Sequence, residues 1–115
     1  MMKIDVATDF SMTPGPRFKR LGPHSGEEFR EAIMRALSRH PDEEIEVFLD
    51  GTEGYGSSFL EEAFGGIVRH SGFPAAEIRR RLHIRARSRL YESYAEEAQN
   101  YLNEALLARE VISSS

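Results

Sequence analysis

Three short segments of this chain alternate apolar and polar residues, and stretches with helical periodicity separate them. The alternating segments are residues 3–8, 44–49 and 82–87. Alternation with a period of two is typical of strands that bury one face, and strands separated by helices predict an α/β fold. A chain of 115 residues can bury one core, so we expect a single domain over residues 1–115, with the terminal serines 113–115 frayed.

Helix start signals stand at the head of the intervening stretches. Ser25 and Ser58 are each followed three residues later by glutamate, which is the spacing of a capping box. These serines therefore predict the first residues of two helices, while Pro74 predicts a short helix and Ser88 the cap of a long last one. The apolar residues expected on the buried helix faces are Phe29, Ile33, Ala36 and Leu37, then Phe59, Leu60, Ala63, Phe64, Ile67 and Val68, then Leu90, Tyr94, Ala98, Tyr101 and Ala105.

The alternation in all three strands predicts a sheet with helices on one face and solvent on the other. The strand residues expected to be buried are Ile4, Val6, Ile45, Val47, Leu49, Leu82 and Ile84. The residues expected on the open face are Asp5, Glu44, Glu46, Phe48, His83, Arg85 and Arg87. Because the second strand is acidic and the third is basic on that face, we expect cross-strand ion pairs.

The net charge of −4 conceals one basic segment. Residues 69–89 contain seven arginines and a single acid, Glu77, which gives this segment a charge of +6. Such a segment can bind a phosphate backbone, so a nucleic-acid-associated protein that uses Arg79–Arg89 is the alternative function. The negative charge of the remaining chain repels polyanions, which favours pairing of the arginines within the protein or with a partner protein.

Several classes of chemistry are excluded by composition. The chain has no cysteine, which removes disulfides and thiol nucleophiles and, with an N-terminus that lacks the apolar stretch of a secretory signal, predicts a cytoplasmic location. Adjacent helix residues such as Glu61 and Glu62 point about 100° apart, which does not favour an acid/base pair. We expect no enzyme activity, no metal and no cofactor. The histidines lack metal-ligand or catalytic spacing: His24, His40, His70 and His83.

The most informative segment is the glycine-rich turn between the second strand and its helix, because nucleotides and nucleophiles are held at such positions. Gly51 to Ser58 approaches the phosphate-binding pattern G-x-x-x-x-G-K-[ST], but Ser57 replaces the lysine that neutralises phosphate. The hydrolase pattern G-x-S-x-G also fails, since Gly56 stands where the serine belongs. A third hypothesis is that Ser57 itself is phosphorylated, and its alternative is that both serines only cap the helix.

Four runs of residues carry a family resemblance. They are Pro14-Gly15-Pro16-Arg17, the segment 25–30, the strand 47–50, and the block 57–66 with the sequence SSFLEEAFGG. Over about residues 4 to 105 the chain resembles the STAS-like family of prokaryotic domains of unknown function. That family is similar to STAS domains such as the anti-sigma factor antagonists, which implies a mixed sheet of about four strands with helices packed mainly on one face.

The resemblance also implies a function. STAS domains of this kind bind a histidine-kinase-like ATPase, which phosphorylates a serine where a helix follows a central strand. Aligning the serine pairs places Ser57 at the phosphorylated position and Ser58 at the helix cap, although Gly56 and Phe59 differ from the flanking residues of the usual Asp-Ser-Ser-Gly pattern. We therefore expect a non-enzymatic regulatory module that docks on a partner through residues 54–66. The expected partner-binding residues are Gly54, Tyr55, Ser57, Ser58, Glu61, Glu62 and Gly65. Gly65-Gly66 is expected to admit a strand or a partner backbone, with simple helix–sheet packing as the alternative.

Overall fold

The computed structural model describes residues 1–114 and contains, within that range, one sheet of three strands. The strands β1 (Met2–Asp5), β2 (Ile45–Phe48) and β3 (Leu82–Arg85) lie in the order β1-β2-β3, and both pairings are parallel. The expected mixed sheet of about four strands therefore differs from the structure, although the α/β class is correct. Each connection between consecutive strands contains a helix, which is the crossover that parallel pairing requires.

Helices occupy most of the remaining chain. The α-helices are α1 (Gly26–Arg39), α2 (Ser57–Leu60), α3 (Gly66–His70), α4 (Ala75–Arg81) and α5 (Arg89–Ser114). A π-helical segment, Glu61–Gly65, joins α2 to α3 without a break, and we call residues 57–70 the central helix. Whether 113–115 fray stays a prediction, because Ser115 lies outside the described residues. No helix among residues 1–114 is long and apolar enough to cross a membrane.

The first strand is shorter than its sequence pattern indicates. It ends at Asp5, and a π-helical turn, Val6–Phe10, follows it. The backbone N–H of Asp5 donates to the carboxylate of Asp9 at 2.7 Å, and the N–H of Ser11 donates to the carbonyl of Val6 at 2.8 Å. Side chains of this kind compete with strand pairing for backbone amides, which explains why the strand does not extend to Thr8.

The helices cover a single face of the sheet. Because β1, β2 and β3 follow one another in one direction, right-handed crossovers place both connecting helices on the same side. On the open side Glu46 and Arg85 keep 16% and 47% of their side chains exposed, so the prediction of a one-faced sheet is confirmed. All the strand residues predicted to be inside are buried: Ile4, Val6, Ile45, Val47, Leu49, Leu82 and Ile84.

The helix layer packs through aromatic side chains and one close backbone approach. Phe29 of α1 stacks on Phe59 of the central helix with ring centroids 6.0 Å apart. A Cβ on Gly26 would lie 2.6 Å from the carbonyl oxygen of Phe59, so α1 begins in contact with α2. The predicted buried residues of α1 and the central helix are all confirmed.

The buried face of α5 differs from the predicted one. Its fully buried residues are Ala98, Leu102 and Leu106, whereas Leu90 is 75% exposed. The first turn of α5 lies beside Gly54 of the glycine-rich turn instead of over the sheet. Leu90 is consequently a surface residue of the same region as the predicted partner-binding loop.

Candidate functional site

The loop after β2 is fixed to the loop after β3 through Asp50. Its carboxylate accepts the backbone N–H groups of Arg87 and Ser88 at 2.8 and 2.9 Å, and the Ser88 hydroxyl at 2.9 Å. Partial burial pulls the pKa of Asp50 upward, but these hydrogen bonds outweigh it and hold the pKa below its ordinary value. These hydrogen bonds hold the loop that follows β2 and the loop that follows β3 together, next to the glycine-rich turn.

Two backbone amides of the glycine-rich turn are hydrogen-bonded within the protein. Gly51 and Gly54 have φ of +90° and +116°, which favours glycine. The N–H of Glu53 donates to the carbonyl of Met12 at 2.8 Å, and the N–H of Gly54 donates to the Thr52 hydroxyl at 3.2 Å. Amides bound in this way are not available to cradle a phosphate, which agrees with the missing lysine of the phosphate-binding pattern.

The two serines are the first residues of the central helix, whose cap lies two positions earlier than predicted. Gly56 is the N-cap, and the helix begins at Ser57, so the prediction that Ser58 caps it is wrong. A serine caps a helix only from the non-helical flanking position, and that position belongs to Gly56. Ser57 and Ser58 are both exposed, and neither hydroxyl has a hydrogen-bond partner among residues 1–114.

Five charged side chains, which we call the ion cluster, meet beside the π-helical segment. Glu61 accepts from Arg17 at 2.6 Å and from Arg69 at 2.7 and 3.0 Å. Glu62, whose side chain is only 5% exposed, accepts from Arg30, and Arg17 and Arg69 lie 3.4 and 3.9 Å from it. The cluster ties the loop before α1, α1 itself and the central helix together.

Hydrogen bonds in the ion cluster favour the charged forms of Glu61 and Arg17. Hydrogen bonds from Arg69, and then from Arg17, hold the pKa of Glu61 below its ordinary value although partial burial opposes them. The same hydrogen bond to Glu61 raises the pKa of Arg17. Glu61 is therefore held in its ionised form, and both glutamates are engaged by arginines, an arrangement that does not favour a general acid/base pair.

Backbone contacts position Arg17 for this role. The N–H groups of Gly26 and Glu27 donate to the carbonyls of Pro16 and Arg17, each at 2.9 Å. Gly15 approaches the chain so closely that a Cβ on it would lie 2.2 Å from the Pro23 carbonyl oxygen. The loop is thus held against the first turn of α1, and it presents Arg17 to the central helix.

Gly65 and Gly66 make room for the ion cluster. A Cβ on Gly65 would lie 2.3 Å from a carboxylate oxygen of Glu61, and one on Gly66 would lie 2.9 Å from Cδ of Arg30. Both glycines are buried. The expectation that they admit a strand or a partner backbone is therefore wrong, because side chains of this protein already fill that space.

The predicted partner-binding residues fall into two groups. Ser57 and Ser58 are exposed, and Gly54, Tyr55 and Glu61 are half-buried at the same end of the molecule. Glu62 and Gly65, in contrast, are buried among the residues of the ion cluster. Because a buried residue does not reach a partner of the folded chain, we exclude these two from the surface. The docking surface, as we use the term below, consists of Gly54, Tyr55, Ser57, Ser58 and Glu61.

Tyrosines at the start of α5 form a pocket that sequence analysis missed. The pocket has a volume of about 420 Å³ and is lined by Glu53, Gly54, Leu90, Tyr91, Ser93 and Tyr94. Tyr94 lies against Tyr55, with ring centroids 5.3 Å apart. The helical spacing of Leu90 and Tyr94 indicated a core stripe, and no local signal distinguishes a core tyrosine from one that lines a surface pocket.

Most arginines of the basic segment pair with acidic side chains of this protein. Arg81 is 1% exposed, and it donates to the carbonyls of Leu37 at 2.9 Å and of Glu43 at 2.9 Å. Among residues 1–114 only two of the seven arginines, Arg80 and Arg89, form no ion pair with an acidic side chain. The predicted pairing of the second and third strands is confirmed by Arg85 and Glu46 at 3.2 Å. On the same face His83 is hydrogen-bonded to Glu44 at 2.7 Å, and Arg87, which follows β3, pairs with Asp5 of β1 at 3.2 Å. No observation favours nucleic-acid binding by this segment.

The histidines lie apart from one another. His40 pairs with Glu43 at 2.9 Å and His83 pairs with Glu44 at 2.7 Å, while His24 and His70 are exposed. Within the described part of the chain no three histidine, aspartate or glutamate side chains form a group that could hold a metal ion. The histidines therefore act as surface residues and as partners of neighbouring acids.

One comparison with known proteins identifies a relationship. The sequence model of a family described as "STAS-like domain of unknown function (DUF4325)" matches residues 25–89, more than half of the chain. The matched range extends from the N-cap of α1 to the first residue of α5 and includes the docking surface and Arg30 and Arg69 of the ion cluster. No curated protein and no solved structure matches the chain significantly.

Proposed function

Because this chain belongs to the family of STAS-like domains of unknown function, we propose that it is a regulatory protein-binding module that resembles an anti-sigma factor antagonist. The module docks on a protein partner through the docking surface. It acts by binding and not by catalysis, since both glutamates near the surface are engaged by arginines. The partner that we propose is a histidine-kinase-like ATPase.

One observation carries this proposal. Ser57 and Ser58 present two hydroxyl groups that are exposed and have no intramolecular partner among residues 1–114. They follow a turn held by Asp50 and Thr52, so their backbone is fixed before any partner arrives. Preorganised polar groups on a rigid base favour specific docking, because little conformational entropy is lost on binding.

Phosphorylation of Ser57 is the switch that we propose for this module. The Ser57 oxygen takes the γ-phosphoryl group of ATP, and ADP and the hydroxyl proton are released. A phosphate at this position meets the free amides of the first helical turn, so the fold tolerates it. The partner surface, however, must then desolvate up to two new negative charges, and binding is lost.

Mass spectrometry after incubation with the ATPase and ATP tests the switch. We expect one phosphate on Ser57, none on Ser57→Ala, and unchanged incorporation in the matched control Ser58→Ala. Phosphate on Ser58, or a phosphorylated protein that still binds the ATPase as tightly as the unmodified one, would show that Ser57 is not the regulatory position.

A further inference from the structure

The tyrosine pocket at Gly54, introduced above, combines features that the proposed docking surface does not explain. It lies between the glycine-rich turn and the first two turns of α5, and Leu90, Tyr91 and Tyr94 on its α5 side lie outside the range matched by the family model. Its volume of about 420 Å³ accommodates one long side chain. The α5 side of the pocket is therefore not part of the family match.

Its aromatic walls are fixed in place. The rings of Tyr91 and Tyr94 lie 5.9 Å apart at 43°, and Tyr55 lies 5.3 Å from Tyr94 at 67°. The hydroxyl of Tyr55 donates to the carbonyl of Leu49 at 2.7 Å, and that of Tyr91 donates to the carbonyl of Thr52. Tyr55 and Tyr91 are thus anchored at their hydroxyl ends, and the ring of Tyr94 contacts both of them.

The pocket also carries negative charge without a matching cation. Glu53 is exposed, and no arginine, lysine or histidine among residues 1–114 pairs with it. The arginines that lie over aromatic rings in the described chain all lie over phenylalanines, namely Phe18, Phe48 and Phe73. The faces of Tyr91 and Tyr94 and the carboxylate of Glu53 thus share a pocket that contains no positive group of this protein.

Gly54 keeps the pocket open. A Cβ at this position would lie 3.0 Å from the hydroxyl oxygen of Tyr94, and the φ of +116° disfavours any other residue. A side chain on residue 54 would consequently displace Tyr94. The glycine places the turn at the distance from α5 that the pocket requires.

We propose that this tyrosine pocket binds a basic side chain, a lysine or an arginine, of the partner protein. Tyrosine faces attract cations through the ring quadrupole, and a nearby carboxylate adds a direct ionic contact. The net charge of −4 for the whole chain favours a positively charged partner surface as well. This inference rests on the proposed function, since it names the chemistry that the partner brings to the docking surface.

Titration with small probes tests the pocket without any partner. The probes are N-acetyl-lysine amide and N-acetyl-arginine amide, with N-acetyl-norleucine amide as the uncharged control of similar size. The chain has four tyrosines and no tryptophan. Tyr91 and Tyr94 line the pocket and Tyr55 contacts Tyr94, so intrinsic fluorescence reports on this site. Amide shifts of Gly54 and Tyr91 in two-dimensional NMR spectra locate the binding.

We expect the two cationic probes to bind in the millimolar range and the norleucine probe to leave these signals unchanged. Glu53→Gln should weaken binding by about two- to fivefold, and Tyr94→Leu by a similar factor. The matched control Tyr101→Phe, which alters a tyrosine that bonds to Glu97, should bind as the wild type does. Equal binding of the norleucine probe, or no response to any probe, would overturn the inference.

The probe experiment tests the pocket separately from the proposed function. A chain that ignores the cationic probes but binds the ATPase normally loses only the pocket assignment. A chain that binds the probes at Gly54 and Tyr91 but not the ATPase keeps the pocket and loses the proposed partner.

Discussion

Arg17 shows how one loop residue organises the region around the docking surface. Its backbone is held by the first turn of α1, and its guanidinium lies between Glu61 and Glu62. Glu61 is therefore a half-buried carboxylate whose charge is compensated by two arginines. The docking surface therefore carries serine hydroxyls and a compensated acid, and the unpaired carboxylate of this region, Glu53, lies in the adjoining tyrosine pocket.

The carboxylate of Glu61 stabilises the fold only while it is ionised. Its pKa in the folded chain lies below the ordinary value because Arg69 and Arg17 donate to it. Such a group contributes stability above its unfolded pKa and loses that contribution as the pH falls through the folded one. Urea unfolding of wild type and Glu61→Gln checks this: between neutral pH and about pH 3 the wild type should lose more free energy of unfolding. Equal losses would contradict the role of the carboxylate.

Two serines with the same sequence spacing have different roles. Ser25 is buried and accepts the N–H of Glu28 at 3.1 Å, whereas Ser58 is exposed inside its helix. We expect Ser25→Ala to cost about 1 kcal/mol of unfolding free energy, as the loss of a cap does. Ser58→Ala should change stability by less than about 0.5 kcal/mol. Denaturant melts of both variants measure the difference, and a Ser58→Ala cost equal to that of Ser25→Ala would restore the capping role of Ser58.

At the scale of elements, α4 is attached to α1 by one buried arginine. Arg81 donates to the carbonyls of Leu37 and Glu43 and pairs with Glu77 at 3.2 Å. Its removal leaves carbonyls at the end of α1 without their donor, so Arg81→Ala should cost about 3 kcal/mol or more. Arg85→Ala, on the open face, should cost less than about 1 kcal/mol. If thermal melts show the two variants to be equally stable, Arg81 does not hold these elements together.

The sequence predicts those elements whose signal is local. Phe29 and Ile33 repeat at helical spacing and Ile45 and Val47 alternate, so the burial of each is encoded within a few neighbouring residues. The start of the central helix is not encoded locally, because Gly56 and Ser58 both satisfy the local preferences for a cap. Only the backbone path of the preceding turn selects Gly56.

The ion cluster and the tyrosine pocket depend on tertiary structure. Arg17, Arg30 and Glu61 are separated by as many as 44 residues and converge through packing of α1 on the central helix. Leu90 and Tyr94 match a core pattern, yet they line a surface pocket since the first turn of α5 lies beside the glycine-rich turn. Periodicity along a chain does not contain this information.

At the scale of the whole molecule, the fold separates two surfaces. On the open face of the sheet charged side chains pair with one another, Arg85 with Glu46 and Arg87 with Asp5, and Arg87 also lies 3.8 Å from the centre of the Phe48 ring. The docking surface and the tyrosine pocket lie beyond the carboxyl ends of the strands, where ligands of open α/β sheets commonly bind. The arginines of the open face are paired within the protein. The docking surface and the tyrosine pocket, in contrast, carry hydroxyls and a carboxylate without intramolecular partners among residues 1–114.

The affinity of the purified chain for a histidine-kinase-like ATPase from the same organism, measured by calorimetric titration, tests the proposed docking most directly. We expect Ser57→Asp to fold as the wild type does but to bind about tenfold or more weakly, because a new charge must be desolvated in the interface. Ser57→Asn introduces a side chain of nearly the same shape as aspartate but without the charge. This variant should bind within about threefold of the wild type. Equal affinities of the Asp and Asn variants would contradict the claim that charge at Ser57 controls docking.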